Sequence, residues 1–171
     1  MNHNLKYGLY LGLISVAFSA AVFAIDHRML QDSWLSIIPT IVTVAILIIA
    51  GRDLRAQQGG YLPFKEAFWS SFVIYMIGAV ISTIYLMLQY NVFAPEVAEA
   101  LREEGVNQTA RLMEGMGADD QTIDQAIAEA ENTNPFGFSG QLLLLGGQAI
   151  LGAIVAAIIG AIIKKNKPEF E

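Results

Sequence analysis

The sequence contains no cysteine, and its 171 residues include only two histidines. The missing cysteines exclude disulfide bonds, thiolate metal sites and cysteine nucleophiles. His3 and His27 are far apart and lack the spacing of a metal site, so we expect neither a metal nor another cofactor. Charged residues are also scarce, at 15% of the chain, whereas a soluble domain carries about 25%.

Acidic residues are concentrated in one region. Ten of the sixteen acidic residues fall between residues 95 and 133, where only Arg102 and Arg111 are basic. The net charge of −6 therefore describes this segment rather than the whole chain. Because no clustered basic face exists, the composition excludes nucleic-acid binding.

Four long apolar segments account for much of the remaining sequence. They cover residues 7–25, 34–51, 64–90 and 138–163, and charge within them is limited to Lys65 and Glu66 at the start of the third. A bilayer core requires about 20 apolar helical residues. The sequence therefore predicts an all-α bundle of four transmembrane helices, a single membrane domain covering residues 1–171.

The first segment has an alternative interpretation as a signal peptide, with Lys6 before the apolar run and Val22-Phe23-Ala24 as a cleavage site. The run is long for a signal peptide and carries a helix-packing pattern, so we expect a retained helix.

Orientation follows from the basic residues. Placing both termini in the cytoplasm puts seven Lys and Arg residues inside and three outside, as the positive-inside rule favours. The acidic insertion, 94–134, then lies outside the inner membrane. We expect two or three short helices in it, the first ending at Gly105 and the last capped by Asp119 or Asp120. It forms either an ordered lid or a mobile loop.

Small residues recur at helical spacing in the first and last segments. In lipid, such residues allow close approach of helix backbones. We interpret them as packing the first helix against the fourth, with a homodimer seam as the alternative. These packing candidates are Gly8, Gly12, Ser15, Ser19, Gly152, Ala156 and Gly160.

Polar side chains also line up along the third and fourth segments. They either form hydrogen bonds between helices or line a polar path for a solute. No ionisable group accompanies them, which favours hydrogen bonding over ion-coupled transport. The polar stripe comprises Ser71, Tyr75, Ser82, Tyr85, Gln89, Gln141 and Gln148.

Asp53 and Glu66 are the carboxylates closest to the membrane segments on the cytoplasmic side. Each lies beside basic residues, which indicates a structural ion pair or a lipid-headgroup contact rather than acid–base catalysis. No partner base or metal site is visible for them, so we expect no enzyme; a membrane enzyme that acts on lipid-linked substrates through Glu66 or Asp53 is the third possibility.

Three stretches resemble a known family. These are the opening Lys6-Tyr7-Gly8-Leu9-Tyr10-Leu11-Gly12, the aromatic third helix with its lead-in Tyr61-Leu62-Pro63-Phe64-Lys65-Glu66-Ala67-Phe68, and the small-residue last helix ending in Lys164-Lys165. Together they resemble the DUF4199 family of uncharacterised membrane proteins, found mainly in Bacteroidota. The family pattern often has an acidic residue before the proline that follows the third helix, where this chain has Ala94. The resemblance implies the inner membrane of a Gram-negative bacterium and supplies no functional residues.

The function we predict is that of a non-enzymatic accessory or scaffold protein for a membrane partner. The alternative is a small channel or transporter for a neutral or lipid-like solute, built around the polar stripe. The expected partners are membrane lipids and a membrane protein or further copies of the chain.

Overall fold

A computed structural model describes residues 2–25, 35 and 37–167, and this part of the chain is helical without a β-strand. The predicted start of the second span at residue 34, and His27, lie outside the described residues. The six α-helices are α1 (His3–Ile25), α2 (Ile37–Gln57), α3 (Phe64–Leu88), α4 (Pro95–Gly115), α5 (Asp120–Asn132) and α6 (Phe138–Ile163). A single π-helical turn, Gln89–Phe93, continues α3.

Four of these helices are long and apolar enough to cross a membrane. They are α1, α2, α3 with its π-helical turn, and α6. At most 28% of the most apolar stretch of each is buried within the chain, and each exposes large hydrophobic side chains that lipid could cover. The fourth predicted span and α6 comprise the same residues, 138–163.

The connection between α2 and α3 shows how the sequence ends one helix and starts the next. Gly59 and Gly60 follow α2 with φ of +75° and +91°, a conformation that glycine adopts without strain. Leu62 then pairs with Lys165 through two backbone hydrogen bonds of 2.8 Å, and Pro63 precedes α3. This short bridge fastens the start of α3 to the end of α6.

The chain divides into two compact units. The first unit comprises Met1–Ser82 and Leu145–Glu171, and the second unit comprises Thr83–Leu144. The core of the first unit is built from side chains of α1, α2, α3, α6 and the bridge before α3, and α1 contributes Leu11 at 4% exposure. Its most buried members are Leu47, Ala50, Leu62, Ala67, Ile74, Ile159 and Ile163.

The second unit contains α4 and α5, which pack against each other. The prediction that Gly105 ends a helix is wrong, because α4 continues through it to Gly115. An interior glycine costs a helix only about 1 kcal/mol, and the helix-forming residues on both sides outweigh that cost. Gly117, with φ of +75°, follows the helix instead.

Asp119 caps α5, as the sequence indicated. The Thr122 backbone N–H donates to Asp119 Oδ1 over 2.8 Å, which satisfies one of the free donors of the first helical turn. The thin apolar stripe of this helix is half-buried while the residues between its members are exposed. The stripe consists of Ile123, Ala126, Ile127 and Ala130.

Candidate functional site

The predicted packing residues of α1 lie against α3. A Cβ atom added to Gly8 would stand 2.6 Å from Ile77 Cβ, and one added to Gly12 would stand 2.8 Å from Ile81 Cβ. Real Cβ atoms do not approach this closely, so the absence of a side chain at both glycines is what allows the two helices to meet. The same kind of contact occurs in the other direction, from a glycine of α3 to a side chain of α1. A Cβ atom added to Gly78 of α3 would lie 2.9 Å from Leu11 Cγ.

The predicted packing residues of α6 also lie against α3. An added Cβ on Gly152 would stand 2.5 Å from Tyr75 Cδ1, and one on Gly160 would stand 3.2 Å from the Phe68 backbone nitrogen. Ala156, between them, is fully buried. From the sequence we predicted that the first helix packs against the last. In the structure the glycines of both helices pack against α3 instead.

This arrangement bears on the homodimer alternative. Gly8 and Gly12 are buried against α3 of the same chain, so these positions are not free to form a seam with a second copy. Ser15 and Ser19, further along α1, are half-buried. The small-residue face of α1 therefore serves internal packing at its two glycines.

The polar stripe is distributed over both units. Ser71, Tyr75 and Ser82 of α3 and Gln148 of α6 belong to the first unit, where Ser71 is 2% exposed. At Tyr75 the ring fills the space opposite Gly152. Contact with α6 therefore occupies this level of the stripe.

The rest of the stripe, Tyr85, Gln89 and Gln141, belongs to the second unit. Gln141 is buried, and its Nε2 donates to the Pro135 carbonyl over 2.8 Å. Gln89 is 2% exposed, and neither its Nε2 nor its Oε1 has a hydrogen-bond partner among the described residues. These two buried amides therefore have different environments.

A polar cluster that the sequence did not predict joins the ends of α1 and α2. Asp53 Oδ2 accepts hydrogen bonds from the Tyr7 hydroxyl at 3.0 Å and from Gln57 Nε2 at 3.1 Å. His3 Nδ1 lies 3.6 Å from the same carboxylate oxygen and 3.4 Å from Gln57 Nε2. We call His3, Tyr7, Asp53 and Gln57 the end cluster.

The geometry of the end cluster suits fastening better than catalysis. Asp53 Oδ2 already accepts two hydrogen bonds, and the His3 side chain is only 11% exposed. His3 Nε2 is buried without a hydrogen-bond partner in the described part of the chain. A general base must reach a substrate proton, and in this arrangement His3 Nε2 is buried while Asp53 Oδ2 is already hydrogen-bonded.

Further hydrogen bonds near these helix ends join the same helices to α3 and α6. Ser70 Oγ donates to Asn4 Oδ1 over 2.7 Å, which joins α3 to α1. Arg55 donates to the Ile163 carbonyl over 3.3 Å, which joins α2 to α6. Gln58 Nε2 donates to Glu66 Oε2 over 2.7 Å, so Glu66 has an amide partner, whereas the sequence indicated either an ion pair or a lipid-headgroup contact.

Comparison with protein families identifies the chain. A family model described as a protein of unknown function, DUF4199, matches residues 6–165. The chain belongs to the DUF4199 family. No curated protein and no solved structure matches the sequence. The resemblance seen in the glycine-rich opening, the third helix and the last helix is therefore confirmed.

The family match covers both features of this DUF4199 protein, the packed glycines and the end cluster, except for His3. Among its described residues, no group of three or more His, Cys, Asp or Glu side chains is arranged to hold a metal ion.

Sequence reasoning missed the end cluster because it treated His3 only as a metal ligand. A usable signal was present: His3 and Tyr7 are four residues apart on one helix, and Asp53 and Gln57 are four apart on another. Side chains at this spacing lie on one helix face. Two such polar pairs at helix ends predict a contact if the helices are neighbours. Only the structure shows that α1 and α2 are neighbours.

The hairpin of α4 and α5 carries the acidic surface of this DUF4199 protein. Arg102 of α4 donates to the Glu131 carbonyl of α5 and lies 3.5 Å from Glu99. These residues line a polar cleft of about 620 Å³. One of the two basic residues of the segment is thus used in joining the helices, which leaves an exposed surface dominated by carboxylates.

Proposed function

We propose that this DUF4199 protein is a non-enzymatic accessory or scaffold protein of the bacterial inner membrane. In this proposal α1, α2, α3 and α6 span the bilayer, both termini are cytoplasmic, and the acidic hairpin lies outside. The seven basic residues assigned to the inside and three to the outside support this orientation. The partner is a membrane protein that contacts the lipid-facing helices or the hairpin.

One observation carries the proposal: helix packing within the first unit occupies the polar stripe of α3 at Tyr75 and the neighbouring turn at Gly78. Tyr75 lies against Gly152 of α6, and Gly78 lies against Leu11 of α1. A path for a solute would need space at these levels, whereas a rigid platform needs this close contact. The stripe here favours a scaffold over a channel.

The end cluster supports the same conclusion. Its polar groups bond to one another, and neighbouring bonds link the ends of α1, α2, α3 and α6. Side chains that hold one another in this way stabilise a single arrangement of helices. A fixed arrangement of helices is what a docking scaffold requires.

The test is purification of the tagged protein in lipid nanodiscs, followed by mass spectrometry of everything retained. We expect one protein in stoichiometric amount. A second preparation carries Glu103→Gln and Glu104→Gln on the exposed face of α4, and a third carries Gly146→Ala, where no atom lies near the added methyl group.

Loss of the partner from the second preparation alone would assign docking to the acidic hairpin. Retention in all three would show that docking does not depend on Glu103 and Glu104. A homogeneous, partner-free preparation that transports a solute or converts a substrate would contradict the accessory function.

A further inference from the structure

Gln89 is the most buried polar residue of the second unit, and its side chain has no hydrogen-bond partner among the described residues. Gln89 is 2% exposed, and both atoms of its amide are buried without a hydrogen-bond partner among the described residues. A buried amide that has lost water without gaining a partner is destabilising. A leucine or methionine would fill the same volume without that cost.

Other amide side chains of this unit behave differently. Asn91 donates to the Met87 carbonyl at 2.9 Å and to the Phe136 carbonyl at 2.8 Å. Asn134 Oδ1 accepts from the Phe136 and Gly137 backbone N–H groups at 3.1 and 3.0 Å. Together with the bond from Gln141 to Pro135, these contacts fix the turn before α6. Gln89 contributes nothing to this network.

The backbone at Gln89 is also unusual. It is the first residue of the π-helical turn, and its carbonyl accepts from the Ala94 N–H over 2.9 Å, five residues on. The turn ends the helix, because Ala94 at φ −147° leaves the helical conformation before Pro95, and π-turns occur at helix C-termini. The unpaired buried amide therefore lies in the last turn of the third span.

We propose that the Gln89 amide binds a small neutral ligand through a hydroxyl group. A hydroxyl both donates and accepts, so it complements an amide that offers one N–H donor group and one carbonyl acceptor. No Asp, Glu, Lys or Arg occurs between residues 67 and 95. A charged ligand would be costly there, whereas an alcohol of the glycerol type carries the required group without charge.

This inference goes beyond the accessory function and stands separately from it, because it concerns a ligand rather than a docked protein. The hydroxyl has two possible sources, a neutral lipid in the bilayer or a small alcohol from the aqueous phase. The probes are therefore dioctanoylglycerol and glycerol, each added to the protein in nanodiscs while thermal unfolding is followed.

The decisive variant is Gln89→Met, which retains the length of the side chain and removes its hydrogen bonds. The matched control is Gln141→Met, which removes an amide of similar burial that does have a protein partner. Without ligand, we expect Gln89→Met to unfold at the parent temperature or higher and Gln141→Met to unfold at a lower temperature.

With ligand, the unfolding temperature of the parent and of Gln141→Met rises, and the apparent Kd in Gln89→Met weakens by about tenfold or more. A response to dioctanoylglycerol alone identifies a lipid source, and a response to glycerol an aqueous one. Three results would overturn the proposal: no response to either probe, an equal response in Gln89→Met, or a loss of stability in Gln89→Met as large as in Gln141→Met.

Discussion

Helices of the first unit meet at glycines, whereas α4 and α5 of the second unit are joined by a hydrogen bond from the Arg102 side chain to the Glu131 carbonyl. In the first unit, Gly8, Gly12 and Gly152 mark points where side-chain atoms of α3 lie too close for any added methyl group. In the second, Gly105 and Gly115 have open space around them, and neither α4 nor α5 contains a buried residue.

This difference follows from the surroundings that each unit requires. Between lipid-facing helices, apolar burial adds little, so close backbone approach supplies the attraction. In the acidic hairpin, the Asp119 cap stabilises the start of α5, and the charge-assisted bond from Arg102 to the Glu131 carbonyl lies near its end. One chain thus combines membrane-type packing with the stabilisation typical of water-soluble helices.

The largest effect on stability is expected for Gly152→Ala, which changes a glycine contact of the first unit. The added methyl group would overlap the Tyr75 ring, and overpacking of this kind costs about 1–3 kcal/mol. Gly147→Ala on the same helix is the control, since nothing lies within 4 Å of its added Cβ. We expect thermal unfolding in nanodiscs at a clearly lower temperature for Gly152→Ala alone. Equal unfolding temperatures would show that the glycine contact is unimportant.

A smaller effect is expected from the end cluster, the main polar fastening of the first unit. Tyr7→Phe removes the hydroxyl that donates to Asp53 and should lower the free energy of unfolding by about 1 kcal/mol. Tyr10→Phe, with a ring that is 48% exposed, serves as the control on the same helix. The comparison is measured by thermal unfolding, and similar losses in both variants would exclude a specific bond.

Glycines of the second unit should respond in opposite directions. Gly105→Ala places a better helix former in the middle of α4 and should stabilise the unit by about 0.5–1 kcal/mol. Gly117→Ala forces alanine into a φ of +75° and should destabilise it by about 1–2 kcal/mol. Helical content on heating reports both changes. A destabilised Gly105→Ala would show that this glycine has a close neighbour after all.

The smallest effect concerns pH. The hydrogen bond from the Thr122 N–H holds the pKa of the Asp119 carboxyl below its usual value. The cap therefore contributes its stability above the unfolded pKa of about 3.9 and loses it as pH falls through the lower, folded value. In circular dichroism between pH 5 and 2, the parent should lose part of its α5 helicity. Asp119→Asn caps without titrating and should lose less, and identical curves would contradict the assignment.

Much of the architecture was predictable because it depends on local sequence. Apolar segments with little charge predicted four spanning helices, and the third segment was predicted to begin at residue 64, where α3 begins. The helix partners were not predictable, since small residues on one face of α1 show that it packs closely without showing against what. Ile77 and Ile81 supply that contact, and no feature of these two isoleucines marks them in the sequence.

Candidate site residues followed the same division. The polar stripe was visible from its spacing, but whether each amide would find a partner depended on the turn before α6. Gln141 reaches the Pro135 carbonyl and Gln89 does not. The end cluster could be predicted only with the knowledge that α1 and α2 are neighbours. Tyr7 and Asp53, which form a hydrogen bond there, are 46 residues apart in the sequence.

The central claim, a four-helix membrane bundle that presents an acidic hairpin outside, is most directly tested by cysteine labelling. The chain lacks cysteine, so single substitutions at two exposed positions, Gln121→Cys on α5 and Ala56→Cys near the end of α2, have no background. In intact spheroplasts, a membrane-impermeant maleimide should label Gln121→Cys at once and Ala56→Cys only after permeabilisation. Labelling of both without permeabilisation, or of Ala56→Cys first, would contradict it.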